Sequence, residues 1–243
     1  MQEKLHKYMA SCGVASRRKS EALILEGVVE VNSETITNLG YRIDPLQDVV
    51  KVKGKIIHLP KEKKYYMFFK PEGYLTTTHD PEGRPTIFDL LPELKGKVNP
   101  VGRLDKDTEG LLFLTNDGEF AFRLTHPKFE VKKTYRVIVQ GELTPRAIHT
   151  LETGVKLEDG LTAPAKVGFI EKRHKKTLVE ITIHEGKKRQ VRRMFEAVGF
   201  PVVFLKRIEV DRIVLKNIDK GQYRELTSKE LIRLKSRLQL PLE

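Results

Sequence analysis

Strand-like segments that do not alternate regularly with helices set the tightest constraint on this 243-residue chain. YYMFFK (65–70), GLLFLT (110–115), TYRVIVQG (134–141), TLVEITI (177–183) and RIEVDRIVL (207–215) read as strands, being rich in β-branched and aromatic residues or alternating with period two. Helical periodicity is confined to GEFAFRLT (118–125), TPRAIHTLETG (144–154), RQVRRMFEAVG (189–199) and TSKELIRLKSRL (227–238). The last opens with a capping box, Thr227 to Glu230. Such a mixture predicts an α+β fold with a mixed, largely antiparallel sheet flanked by helices.

The first quarter reads as a separate, smaller module. Leu5, Tyr8, Met9 and Cys12 form one apolar helical stripe, and Gly13 is placed to end that helix. Ser16 can cap a second helix carrying Ala22, Leu23 and Leu25, with Gly27 as its stop. VVEVNSETI and DVVKVKGKII then read as strands broken by turns at Asn32–Ser33 and near Gly54. HLPKEKKYY, with a proline and a run of charge, reads as a linker. The boundary falls near Lys61, giving domains 1–60 and 61–243.

Charge narrows the class of partner. Lys and Arg number 45 against 33 Asp and Glu, a net charge of +12, which favours a polyanion: nucleic acid first, an anionic membrane surface second. SRRKS puts Arg17, Arg18 and Lys19 at the start of the second helix. Helix N-termini favour anions, and clustered cations add counterion release on phosphate, although a solvated charge run has the same composition. No apolar run approaches the ~20 residues of a membrane span, and MQEKLHKYMASCG lacks the apolar core of a signal peptide. Cys12 is the only cysteine, so neither an intramolecular disulfide nor a cysteine zinc site is available. The expected setting is the cytoplasm.

GRLDKDTEGLLFLTNDG (102–118) gathers Asp105, Asp107, Glu109 and Asp117 within this basic chain. Asp105, Asp107, Glu109 and Gly110 imitate the opening of a calcium-binding loop, but the bidentate Glu such a loop needs is Asn116. A metal-dependent phosphodiesterase would need further carboxylates converging from elsewhere, and the seven histidines are scattered. If extended, Asp105 and Asp107 share one face and Lys106 lies on the other. Asp117–Gly118 is turn chemistry and receives no catalytic role.

Two resemblances sharpen these readings. LHKYMASCGVASRRKSEALILEGVVEVN resembles the S4 RNA-binding module, in which two helices and a short hairpin present basic residues to structured RNA. It departs at Ser33, where that family usually carries Gly. GRLDKDTEGLLFLTNDG, KKTYRVIV and EGKKRQVRRMFEAVG, in that order behind such a module, resemble the pseudouridine synthases of the small-subunit-type ribosomal family, whose members include the B, E and F enzymes of the large ribosomal subunit.

The resemblance implies isomerisation of uridine to pseudouridine in ribosomal RNA, with neither cofactor nor metal. Asp105, Tyr135 and Arg192 occupy the catalytic positions. Asp105 would attack, stabilise or deprotonate the sugar; Arg192 would hold it ionised by a charge-assisted hydrogen bond; Tyr135 would offer its ring to the uracil and its hydroxyl to proton traffic. Arg103 would wedge into the stack vacated by the target base or pair with Asp107 or Glu109. Lys187, Lys188, Arg189 and Arg193 would contact phosphates, while Met194, Phe195 and Val198 pack their helix into the core. General likeness to the B-type members points to large-subunit (23S) RNA, with small-subunit (16S) RNA and a non-catalytic RNA-binding or assembly factor as alternatives. The partner is ribosomal RNA or an assembly intermediate, and the chain is expected to act as a monomer.

Overall fold

The computed structural model describes residues 2–242. They divide into two compact units: residues up to Lys63 with Asn116–Gly118, and Lys64–Thr115 with the residues from Glu119 onward.

The first unit runs β1 (Glu3–Lys4), α1 (Leu5–Ser11), α2 (Arg17–Leu25), β2 (Val29–Val31), β3 (Glu34–Thr35), β4 (Arg42–Ile43), β5 (Val50–Val52) and β6 (Lys55–Ile56). β1 pairs with β4, and the other strands form a sheet in the order β3-β2-β5-β6. Leu5, Tyr8 and Met9 pack with Leu23, Ile24, Val29 and Val31 in its core. Gly13 turns the chain at φ +75°, and Ser16 caps α2 by accepting from the Lys19 amide at 3.3 Å. Ile24 is buried, while Leu25 is 62% exposed and Ala22 is also on the solvent side. One residue rotates a helical side chain by about 100°, enough to exchange the two. Ser33 sits at φ +70° beside Asn32 at +51°, so a serine holds a turn that glycine adopts without strain.

The second unit follows with β7 (Tyr65–Lys70), β8 (Asn99–Pro100), β9 (Glu109–Thr115), α3 (Gly118–Thr125), β10 (Lys133–Gln140), α4 (Pro145–Thr153), β11 (Lys156–Leu157) and β12 (Gly160–Leu161). It ends with β13 (Lys166–Arg173), β14 (Lys176–Ile183), α5 (Gln190–Ala197), β15 (Val202–Val210), β16 (Ile213–Val214), β17 (Tyr223–Glu225) and α6 (Ser228–Arg237). The main sheet has nine strands in the order β13-β14-β10-β15-β9-β7-β17, with β16 on β15 and β8 on β9. Its pairings are antiparallel except β15 with β9. The fold is thus α+β with a mixed, mainly antiparallel sheet.

Both faces of this sheet are covered, which explains its continuous apolar runs. All seven residues of β9 are buried. Leu112 and Leu114 face one core with Ala147 and Leu151 of α4 and Val191, Met194 and Phe195 of α5. Leu111 and Phe113 face the other with Phe120 and Leu124 of α3 and Leu234 of α6. RIEVDRIVL proves to be strand, turn and strand, with Asp211 and Arg212 both at positive φ. β13 escaped the sequence reading because Gly168 and its charges dilute the alternation; its register shifts between Gly168 and Ile170. The Thr227–Glu230 capping box is present on α6.

β15 lies close against β9 at Arg207 and Gly110, which are register partners. A Cβ on Gly110 would lie 2.6 Å from the Arg207 amide nitrogen and 2.9 Å from its carbonyl carbon, and Gly110 sits at φ +121°. Gly110→Ala should therefore lower unfolding stability by about 3 kcal/mol, combining overpacking with a disfavoured backbone angle. Denaturant unfolding checks this; a loss below about 0.5 kcal/mol, the ordinary surface range, would contradict the close approach.

Candidate active site

Asp105 lies in the loop that leads into β9, and the loop is a turn rather than extended chain. The Thr108 amide donates to the Asp105 carbonyl at 3.1 Å. The loop is tied down from the other side by the segment after β7: Thr76 Oγ1 donates to the Leu104 carbonyl at 2.7 Å, and the Gly73 amide to the Lys106 carbonyl at 2.7 Å. Lys70, fully buried at the end of β7, completes the support. Its ammonium donates to the carbonyls of Pro71 (2.9 Å), Asp105 (3.1 Å) and Thr108 (2.9 Å). All three lysine donors are thereby used. Glu109, the buried first residue of β9, forms an ion pair with Lys220 at 2.5 Å.

The turn exposes Asp107 to α5. Arg189 grips its carboxylate with two hydrogen bonds of 2.9 Å. Arg192 donates to the Asp107 carbonyl at 2.5 Å, and its Nε lies 3.3 Å from Oδ2, near enough for an ion pair but off the line of a hydrogen bond. Burial would raise the Asp107 pKa, but the Arg189 hydrogen bonds and the charges of Arg192 and Arg189 outweigh it, so the carboxyl is held below its usual range. The bond expected between Arg192 and Asp105 is absent among the described residues. Arg192 fixes the turn two residues further on, because there the chain presents both a carbonyl and a carboxylate to α5. Burial pulls the Arg192 pKa down; the Asp107 charge opposes this most, and the Asp105 charge opposes it less.

A cavity of about 260 Å³ opens beside Asp105. Tyr135 of β10, 9% exposed, lines it, as do Arg103, Lys187, Lys188 and Arg189, whereas Arg192 and Arg193 do not. Arg193 is instead paired with Asp159 through two contacts of 2.9 Å. Lys187 donates to the Leu161 carbonyl at 3.1 Å. Arg103 is exposed and makes no ion pair among the described residues; Asp107 and Glu109 are taken by other cations. In the smaller unit Arg17, Arg18 and Lys19 are exposed on the first turn of α2. The cavity falls just under the ~300 Å³ at which drug-sized ligand sites begin, a size suited to one extruded base rather than a run of nucleotides.

The profile of the RNA pseudouridylate synthase family matches residues 64–197, which include every catalytic candidate. The chain belongs to this family. An S4 domain profile matches residues 3–50. Ribosomal large subunit pseudouridine synthase B of Bacillus subtilis (strain 168) is 44% identical over 236 residues, covering 96% of both chains. The protein of the same name from Vibrio vulnificus (strain CMCP6) is 39% identical, covering 99% of this chain and 77% of the relative. A crystal structure of a pseudouridylate synthase superposes with a TM-score of 0.70 at 32% identity, covering 95% of this chain and 99% of that one.

Three cations at the candidate site escaped the sequence reading: Lys70, Lys133 and Arg207. Lys133 and Arg207 line the cavity, and Lys70 lies under the Asp105 turn. Lys70 had a local signal, a lysine closing an apolar strand just before proline. Lys133 and Arg207 alternate with Tyr135 and Leu205 and so share their strand faces, a relation visible only once the strands are aligned.

Burial pushes the Lys70 pKa from 10.5 to about 8, against the opposing charges of Asp105, Asp107, Glu109 and Glu72. An unfolded lysine titrates near 10.4, so between about pH 8 and that value the unfolded chain holds more protons. Stability must then rise with pH across this window. Lys70→Met should remove about 2 kcal/mol of the rise between pH 8 and 10, measured by denaturant unfolding at each pH. Lys133 keeps its own share in the variant. Superimposable pH profiles would contradict a buried ammonium under the turn.

Proposed function

We propose that this protein converts one uridine of ribosomal RNA, in the large subunit, to pseudouridine. The observation that carries this reading is that Asp105 and Tyr135 line one base-sized cavity with a basic rim. The names of relatives at 44% and 39% identity support the large-subunit target. The substrate is free ribosomal RNA or an assembly intermediate, and the chain acts as a monomer in the cytoplasm.

The target base leaves its stack to enter the cavity, and Arg103, without an ion pair among the described residues, fills the space it vacates. Asp105 acts on the anomeric carbon. A carboxylate there can attack that carbon, balance its charge or take its proton, and each role needs the group ionised and aimed. Aim comes from the turn that Lys70 and Arg192 hold at its backbone. Tyr135 presents its ring to the uracil and its hydroxyl to proton transfer at C5. Lys187 and Lys188 contact phosphates at the rim. Arg189 and Arg193 reach phosphate only by sharing themselves with Asp107 and Asp159. Arg17, Arg18 and Lys19, on residues 1–60, add affinity for structured RNA.

A pseudouridine map of ribosomal RNA from cells lacking the protein should show one missing site in large-subunit RNA, restored by wild type and not by Asp105→Asn. A complete map in the deletion strain, with purified protein inactive on unmodified RNA, would favour a binding factor instead.

In single-turnover assays at saturating RNA, Arg192→Ala should slow isomerisation by about 10²-fold through displacement of the Asp105 turn. Tyr135→Phe should bind RNA normally yet stall before C5 loses its proton. Near-normal rates in Arg192→Ala would remove its positioning role.

A further inference from the structure

The cavity contains a buried cation with no assigned task. Arg207 is 5% exposed and lines the cavity on β15, directly opposite Tyr135 in the register with β10. Its Nε donates to the Leu111 carbonyl at 2.7 Å. The two terminal nitrogens make no hydrogen bond with any described residue, and neither is sealed from solvent. A guanidinium has five N–H donors, so four remain unmatched. Through the cavity those donors reach water, and an occupant that displaced the water without supplying a partner would leave a costly unpaired charge. A ligand oxygen in the cavity would answer that need.

Lys133 strengthens the case. It shares the Tyr135 face of β10, also lines the cavity, and donates to the carbonyls of Val131 (3.1 Å) and His184 (3.5 Å), leaving one donor over. Burial lowers its pKa from 10.5 to about 8, and the Arg207 charge adds to this, which places the two cations within each other's field. The exposed Arg103, Lys188 and Arg189 mark the mouth, and the buried Tyr135 and Arg207 mark the floor. Arg207 and Lys133 are pure donors, which suits them to the carbonyl oxygens of uracil.

We propose that Arg207, with Lys133 beside it, is a catalytic residue that donates to a uracil carbonyl oxygen and stabilises the uracil anion released when the glycosidic bond breaks. This rests on the cavity being the isomerisation site. As N1–C1′ breaks, its bonding pair leaves with the ring, giving a uracil monoanion with charge shared among N1, O2 and O4. When C5 bonds to C1′, C5 loses a proton and N1 gains one, so the composition is unchanged and nothing is oxidised. A preorganised cation facing the ring oxygens interacts more strongly with the anion than with the neutral base, which is the condition for accelerating the step.

The test compares wild type, Arg207→Gln and Arg207→Lys on a ribosomal RNA transcript made with uridine or with 5-fluorouridine. Fluorine withdraws electrons and makes the uracil a better leaving group. Single-turnover cleavage of N1–C1′ by Arg207→Gln should fall about 10²–10³-fold with uridine, and distinctly less with 5-fluorouridine. RNA affinity should be unchanged, and Arg207→Lys should recover part of the rate. An equal loss on both RNAs, or a loss of affinity alone, would reduce Arg207 to a clamp on the Leu111 carbonyl and overturn the proposal. If Arg207→Gln does not fold, Lys133→Met carries the same comparison with the same expected leaving-group dependence. A wild type that leaves uridine unconverted would overturn the functional reading itself.

Discussion

No side chain fits between Gly110 and Arg207, and this close approach joins the parts of the site. β15 runs parallel to β9 on one side and antiparallel to β10 on the other. It therefore brings the strand that follows Asp105 into the same sheet as the strand that carries Tyr135. That three-strand arrangement holds the loop of Asp105 beside the strand of Tyr135. The same contact sets Arg207 opposite Tyr135 and lets its Nε reach the Leu111 carbonyl.

Electrostatics then decides what the site can do. The chain carries a large excess of positive charge, yet many of its cations near the cavity are already committed. Arg189 and Arg192 serve Asp107, Arg193 serves Asp159, and Lys70 serves three carbonyls. These interactions shape the Asp105 turn and the approach to it. Among the described cations lining the cavity, Arg103 and Lys188 at the mouth, and Arg207 and Lys133 within it, keep donors that no carbonyl or carboxylate takes. A basic composition thus divides into structural cations, which buried carbonyls and carboxylates hold in place, and functional ones facing open space.

Much of the fold could be read directly. Period-two and continuous apolar runs located β7, β9, β10, β14 and β15, and capping residues located α2 and α6. β13 was lost because a glycine and several charges obscured its alternation. On α2 it is Ile24 and not Leu25 that joins Leu23 in the core, a choice that one residue of helical rotation decides. Asp105 and Tyr135 stood out through local motifs. The partner of Arg192 did not, because the choice between Asp105 and Asp107 depends on a turn whose geometry is set by Thr76, Gly73 and Lys70, all more than 25 positions away along the chain.

By itself the sequence determined the class of fold and the basic character, and its motifs singled out Asp105 and Tyr135 as candidates. Each follows from patterns spanning a few residues or from simple summation of charge. The tertiary structure alone decided which cations are buried, what they hold and which retain free donors. A lysine or arginine is written the same way whether water or three carbonyls surround it, and only strand register and packing make that difference.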